Sequence, residues 1–266
     1  MPPRRLRLDA ELVRRGLARS REHAAELVAA GRVSVSGATA SKPATGVTTD
    51  LAIVVREDPD RPDYVSRGGH KLAGALAAFE PRGLVVAGRR CLDAGASTGG
   101  FTDVLLRAGA SEVVAVDVGY GQLAWSLQSD DRVIVHDRTN VRELTVELIG
   151  GPVDLVVGDL SFISLALVLE PLVGVTREDG DLALMVKPQF EVGKDRLPKG
   201  GVVRDPELRA ETVSRVAAQA AGLGWGARAV ARSPLPGPSG NVEFFLWLRR
   251  GPAEVGDEDI HNAVRG

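Results

Sequence analysis

The sequence predicts an α/β protein in two parts: a small basic α+β module at the front, then a larger, mostly parallel sheet with helices on both faces. Three observations carry this. From residue 89 to 249, short apolar runs alternate with segments of helical periodicity, the signature of successive strand–helix units. The stretch Asp58-Pro59-Asp60-Arg61-Pro62-Asp63 has the prolines and alternating charge of a connector. The formal charge of −2 hides an asymmetry, because residues 1–50 carry a net +4 and the remainder a net −6. The expected parts are therefore 1–58, a linker over 59–64, and 65–266, and the 44% hydrophobic content suffices for real cores.

In the front part, Leu8, Leu12, Leu17, Ala24, Leu27 and Val28 recur with helical spacing. Gly16 breaks the pattern and Ser20 restarts it as an N-cap, which predicts two short helices. Gly31 closes the second, and Val33-Ser34-Val35 alternates as a strand into a Ser36-Gly37 turn. Such a module is too small for catalysis. Seven arginines lie within its first 21 residues, an arrangement suited to phosphate contact, although charge alone argues equally for a solvated helix face.

The second part reads as strands near 89–94, 112–117, 132–136, 153–159 and 181–187, a helix from Pro206 to Gly222, and strands over 227–231 and 242–249. In such sheets ligands bind at the carboxyl ends of the strands. Residues 255–266 read as a tail with no assigned role. The longest apolar stretch, Leu165 to Val175, is interrupted by Glu170 and Pro171 and falls far short of the roughly 20 residues a membrane span requires. No secretory signal is readable, and the single Cys91 permits neither an internal disulfide nor a multi-cysteine zinc site. A cytoplasmic, metal-free protein is expected, with Cys91 a small buried hydrophobe.

The front segments Arg7-Leu8-Asp9, Gly16-Leu17-Ala18-Arg19-Ser20-Arg21, Gly31-Arg32-Val33-Ser34-Val35-Ser36-Gly37 and Lys42-Pro43 resemble the S-four RNA-binding domain. The resemblance implies binding to structured RNA. It makes Arg4, Arg5, Arg7, Arg14, Arg15, Arg19, Arg21 and Arg32 the candidates for phosphate contact.

The first strand of the second part runs into Asp93-Ala94-Gly95-Ala96-Ser97-Thr98-Gly99-Gly100-Phe101, and a helix follows. A glycine-rich turn of this kind lets backbone approach a ligand closely, whether a dinucleotide or S-adenosylmethionine. Asp117, ending the second strand, is placed to accept hydrogen bonds from a ribose diol, again with either cofactor. The glycine spacing does not fit the dinucleotide fingerprint in any register from Gly95. A carboxylate at Asp93 would repel a pyrophosphate and suit the cationic amino-acid end of S-adenosylmethionine; its bland role is a helix cap. Asp137, after the third strand, stands where such folds touch adenine, or is simply a turn residue.

Only five of 33 basic residues are lysine. Lys187 ends an apolar strand, where an unpaired ammonium is costly, so either a carboxylate pairs with it or the amine gives up its proton. Asp159 ends another strand, and Glu243 interrupts the run from Val242 to Leu248. Lys71 opens a helix beside Gly68 and Gly69. Structural ion pairs or surface charges would also account for each of these four taken singly.

Together Lys71, Asp159, Lys187 and Glu243 resemble the Lys-Asp-Lys-Glu tetrad of the FtsJ-like ribose 2′-O-methyltransferases. With Tyr64-Val65-Ser66-Arg67-Gly68-Gly69-His70-Lys71, Asp159-Leu160-Ser161-Phe162-Ile163-Ser164 and Lys187-Pro188-Gln189-Phe190-Glu191, nearly all of residues 5–250 resemble the TlyA/haemolysin A family. The resemblance implies a Rossmann-like methyltransferase that uses S-adenosylmethionine, with Asp93, Gly95 to Phe101, Asp117 and Asp137 at the cofactor. It implies cytidine 2′-hydroxyls of small-subunit ribosomal RNA as targets, with the large subunit a further candidate, and ribosomal RNA or a subunit as partner. Independently of the resemblance, no membrane partner and a monomer are expected. Lys187 would remove the hydroxyl proton, Asp159 would orient that amine, and Lys71 with Glu243 would hold the hydroxyl. The glycine-rich segment from Phe190 to Pro206 reads equally as a lid or as an ordinary loop. Three rivals remain open: a nicotinamide-dependent oxidoreductase, a membrane-lytic protein, and a catalytically silent ribosome-assembly factor.

Overall fold

A computed structural model describes residues 5–56, 58 and 62–265. Arg4 and residues 59–61 of the predicted linker lie outside the described residues. The chain forms two compact units, one ending at Asp63 and the other beginning at Tyr64.

The first unit contains β1 (Leu6–Arg7), α1 (Leu8–Arg14), α2 (Arg21–Ala29), β2 (Val33–Val35), β3 (Ala38–Thr39), β4 (Gly46–Val47) and β5 (Ile53–Val55). Ser20 caps α2 as expected, its hydroxyl accepting from the His23 amide. The apolar stripes of both helices meet β2, β4 and β5 through Leu8, Leu12, Ala24, Leu27, Val28, Val33, Val47 and Ile53. Strand β2 pairs antiparallel with β3 and β5, and β1 with β4. All five strands are two or three residues long; β2 shows its alternation beside the Ser36-Gly37 turn, and the others carry no comparable signal. Asp63 is tied into this unit by Arg32 at 2.5 Å and His23 at 3.1 Å.

The second unit runs α3 (Arg67–Phe79), β6 (Arg90–Ala94), α4 (Gly100–Arg107), β7 (Glu112–Val116), α5 (Trp125–Gln128), β8 (Val133–His136), β9 (Val153–Gly158), α6 (Leu169–Gly174), β10 (Thr176–Val186), α7 (Pro188–Glu191), α8 (Pro206–Gly222), β11 (Trp225–Arg232), β12 (Phe244–Arg250) and α9 (Asp257–Arg265). Seven strands make one sheet in the order β11-β12-β10-β9-β6-β7-β8. All are parallel except β12, which runs against both neighbours. The chain builds outward from β6 to β8 and then returns to β9 on the other side of β6. The resulting switch point lies between β6 and β9, where a crevice opens at the strands' carboxyl ends.

The central strands are apolar throughout because both faces are covered. Alternate residues go to opposite sides: Leu92 and Ala94 join Val213, Val216 and Ile260 of α8 and α9, whereas Cys91 joins Leu72, Leu76 and Leu105 of α3 and α4. Tyr64, expected in the linker, is buried in this core beneath the Arg107 guanidinium. The expected tail is helical over Asp257–Arg265, because Ile260 and Val264 give α9 an apolar face against α8.

Candidate active site

Four distant segments reach one rim of the sheet. Gly95, Asp159 and Lys187 directly follow β6, β9 and β10, which run side by side in parallel. The reversed strand β12 supplies the fourth, because its first residue Phe244 pairs with Val186, the last residue of β10. Glu243 thus stands just ahead of the strand rather than interrupting it, on the same rim as Lys187. Lys71 arrives from the first turns of α3, whose N-terminus is seated on that of α4. A Cβ at Gly100 would lie 2.2 Å from Ser66 Oγ and 2.8 Å from the Gly69 amide, so only glycine permits this approach.

Two ion pairs result. Lys187 Nζ is 2.6 Å from Asp159 Oδ1, outside hydrogen-bond angles, and donates a hydrogen bond to Ser161 Oγ at 2.8 Å. Lys71 Nζ donates to Glu243 Oε2 at 2.5 Å. Lys71, Lys187 and Glu243 are all buried, which contradicts a surface role for Lys71. Of the two solutions open to a buried lysine at position 187, pairing with a carboxylate is the one adopted. Glu243 Oε1 and Asp93 Oδ1 are buried without partners among the described residues.

The glycine-rich turn is shaped by Gly95 at φ +86°, where a Cβ would meet the Asp159 carbonyl at 3.0 Å. Asp93 is fully buried; its Oδ2 accepts from the amide and hydroxyl of Thr102 in the first turn of α4, so the carboxylate does cap that helix. Burial pushes its pKa up to about 7, and the nearby carboxylates of Asp159 and Asp117 push the same way. Asp117 accepts from the Ser97 and Gly119 amides. Asp117 beside the turn, and Asp93 beneath it once ionised, favour a cation over a pyrophosphate there, while the charge of Asp159 is largely met by Lys187.

Two cavities meet here. One of about 230 Å³ is bordered by Lys71, Lys187, Gly95 to Thr98, Gly100 and Phe101. The other, about 520 Å³, is bordered by Asp117, Val118, Asn140, Arg142 and Phe162, a size suited to a small-molecule cofactor. Gly95, Ser97, Asp159 and Ser161 border both. The chemistry fits S-adenosylmethionine: a carboxylate for the ribose diol, a cation-favouring turn, and an apolar wall of Val118, Val141, Leu160 and Ile163.

Of the predicted cofactor residues, Gly95, Ser97 and Asp117 border the larger cavity, while Ala96, Thr98, Gly100 and Phe101 border the smaller; Gly99 takes φ +96° at the N-cap of α4. Asp137 borders neither; its carboxylate accepts from the Gly121 amide, as a turn residue would. Sequence reading missed three features. Ser161 holds Lys187. Glu191, buried with its pKa raised by burial, accepts from Ser164 Oγ at 2.6 Å and the Leu165 amide at 2.8 Å, fastening the segment after β9 to α7. Phe162 has φ +63° and a ring 91% exposed, 5.3 Å from that of Phe190. The signal for all three was present in the motifs around Asp159 and Lys187, but a serine, a glutamate and a phenylalanine have too many ordinary uses to be singled out there.

The chain matches known proteins over both units. Residues 64–250 match the FtsJ-like methyltransferases and residues 6–53 the S4 domain. The chain is 62% identical to the 16S/23S rRNA (cytidine-2′-O)-methyltransferase TlyA of Mycobacterium tuberculosis, over 98% of each chain. It is 34% identical to Hemolysin A of Brachyspira hyodysenteriae, over 90% of this chain and 98% of that one. A solved structure described as a hemolysin from Streptococcus thermophilus superposes with a TM-score of 0.73 at 35% identity, covering 98% of this chain and 94% of that one. No described helix is long and apolar enough to cross a membrane. With its tetrad assembled on one rim beside a cation-favouring turn, the chain belongs to the FtsJ-like methyltransferase family, in the branch that carries an S4 domain ahead of the catalytic unit and includes TlyA.

Proposed function

We propose that the protein is an S-adenosylmethionine-dependent methyltransferase acting on the ribose 2′-hydroxyl of cytidine in small- and large-subunit ribosomal RNA, working as a cytoplasmic monomer. The observation that carries the reading is the junction of two cavities at Gly95, Asp159 and Ser161, with the Lys187 amine at the smaller one. The dual substrate follows the name of the Mycobacterium tuberculosis relative.

S-adenosylmethionine, when bound, supplies a methyl group activated by a positively charged sulfur. In the larger cavity Asp117 would hold the ribose diol, and Asp93, which borders neither cavity, would favour the positive end through its field when ionised. A 2′-hydroxyl is a poor nucleophile near neutral pH, so its proton must leave as its oxygen attacks. To act as the base Lys187 must first pass the proton of its ion pair to solvent; the free amine then takes the hydroxyl proton, with Asp159 and Ser161 fixing its direction. Lys71 donates a hydrogen bond to the ribose oxygen; Glu243, which borders neither cavity, acts by holding Lys71. The exposed ring of Phe162 offers the target base a stacking face.

Single-turnover methylation tests the base. Lys187→Ala should lose about 10²–10⁴-fold in rate, the usual worth of a positioned acid–base group, while retaining S-adenosylmethionine binding by calorimetry. A wild-type rate with binding intact would remove Lys187 from the mechanism. In the same titration NAD should give no heat.

A further inference from the structure

The arginines nominated for RNA contact are not equivalent. Arg15 uses all three nitrogens inside its unit, donating to Glu11 at 2.7 Å, the Leu51 carbonyl at 2.8 Å and the Thr49 carbonyl at 2.9 Å. Arg32 donates to the Arg56 carbonyl and pairs with Asp63. At 21% and 13% side-chain exposure, both are structural. Arg7 and Arg21, by contrast, are 52% and 60% exposed, yet both are tethered to the same carboxylate, Arg7 by one edge and Arg21 by one nitrogen. Arg7 donates from Nε to Asp9 Oδ1 at 3.1 Å and from Nη2 to Oδ2 at 2.8 Å. Arg21 donates from Nη2 to that same Oδ2 at 3.1 Å.

The Asp9 side chain is only 6% exposed, so it is poorly placed to meet a ligand itself. Its remaining hydrogen bond, from the Ala10 amide at 2.8 Å, fixes the carboxylate against the backbone of α1. Two guanidinium groups repel one another, and free arginine side chains sample many rotamers. A buried anion between them removes both obstacles. Arg7 Nη1 and Arg21 Nε and Nη1 are left without protein partners among the described residues. Two guanidinium groups gathered on one carboxylate, with these nitrogens turned outward, match the oxygens of a phosphate diester.

We propose that Asp9 is a positioning residue for RNA, locking Arg7 and Arg21 into one preformed clamp for a backbone phosphate. This rests on the reading of the protein as an rRNA methyltransferase. The carboxyl is held down to about 2, chiefly by the hydrogen bond from Arg7, so Asp9 stays charged throughout the neutral range. Glu11 holds Arg14 in the same way, but it also holds the structural Arg15, so a change there would mix folding with binding.

Charge and positioning predict opposite signs. Asp9→Asn makes the unit more positive, and by long-range attraction alone it should bind RNA as tightly as wild type or more tightly. If Asp9 positions the clamp, affinity should instead fall about tenfold, as expected when two arginines regain rotamer freedom that binding must then remove. The measurement is filter binding of the full chain to an unmethylated transcript of small-subunit rRNA across a salt series. Arg7→Gln and Arg21→Gln should each lower the slope of log affinity against log salt by roughly 0.7–0.9. Once both arginines are Gln, Asp9→Asn should have no further effect. Asp9→Glu, which keeps the charge and moves it by one methylene, should also weaken binding, and it serves if the Asn variant folds poorly. Wild-type affinity in both Asp9 variants, with melting temperatures unchanged, would overturn the clamp. Failure of the wild-type chain to bind the transcript at all would overturn the RNA reading beneath it.

Discussion

At the scale of single residues, Asp93 sets stability against function. Burial raises its folded pKa from 3.8 to about 7, so between those values the folded chain holds a proton that the unfolded chain releases. The stability this provides is complete below about pH 4 and lost as pH rises through 7, for a total on the order of 4 kcal/mol at most. Asp93→Asn cannot ionise and keeps an oxygen for Thr102. Its melting temperature should therefore gain on wild type by several degrees between pH 5 and 8, as read by calorimetric scanning. Cofactor affinity should move the other way: in wild type it tightens as pH rises through 7, and in the Asn variant it is weaker and flat. Ser161 makes a second residue-scale case. Its hydroxyl is the only hydrogen-bond acceptor found for the Lys187 amine among the described residues, and Ser161→Ala should slow single-turnover methylation about tenfold at unchanged melting temperature, with Thr restoring most of the rate.

At the scale of elements, the site depends on how strands and helices end. Gly100→Ala would drive a methyl group toward the Gly69 amide, which as backbone has no rotamer by which to move away. The start of α3 must then lift from α4 and carry Lys71 off the rim. A stability loss of about 1–3 kcal/mol is expected from chemical denaturation, with methylation falling by more than the unfolded fraction explains. The rim was readable in advance where one element carried both its own signal and its terminus: Gly95, Asp159 and Lys187 each close an apolar run that could only be a strand. Glu243 was readable as an anomaly but was set inside a strand, because the reversal of β12 is a property of pairing that no local pattern records. Asp137 was placed by analogy of position, and its engagement with Gly121 shows that a strand's end does not fix where the following side chain turns. The short strands of the first unit other than β2, and the docked helix α9, escape the sequence reading because their few apolar residues gain meaning only from the partners they meet.

At the scale of the whole molecule, each unit has a core of its own. Among the described residues the first closes around nine buried apolar side chains, a small core, while the second packs both faces of a seven-stranded sheet. A fragment beginning at Tyr64 should therefore fold and bind S-adenosylmethionine as the full chain does, since every residue bordering the two cavities lies within it. It should methylate rRNA only at much higher RNA concentration, with KM raised and kcat less affected, because the arginine clamp is gone while the reacting groups are intact. The point of cutting matters by a few residues. Tyr64 is buried among Gly69, His70 and Arg107, and the Val65 amide donates to Asp103 at 2.9 Å, so a fragment beginning at Ser66 leaves a cavity beside α3 and an unpaired carboxylate oxygen. Losing a buried aromatic of this size costs about 3–5 kcal/mol, and the loss falls on the helix that carries Lys71. The shorter fragment should melt well below the longer one and lose kcat as well as affinity for RNA. Equal melting temperatures and equal kcat would mean that Tyr64 is a passive part of the connector after all.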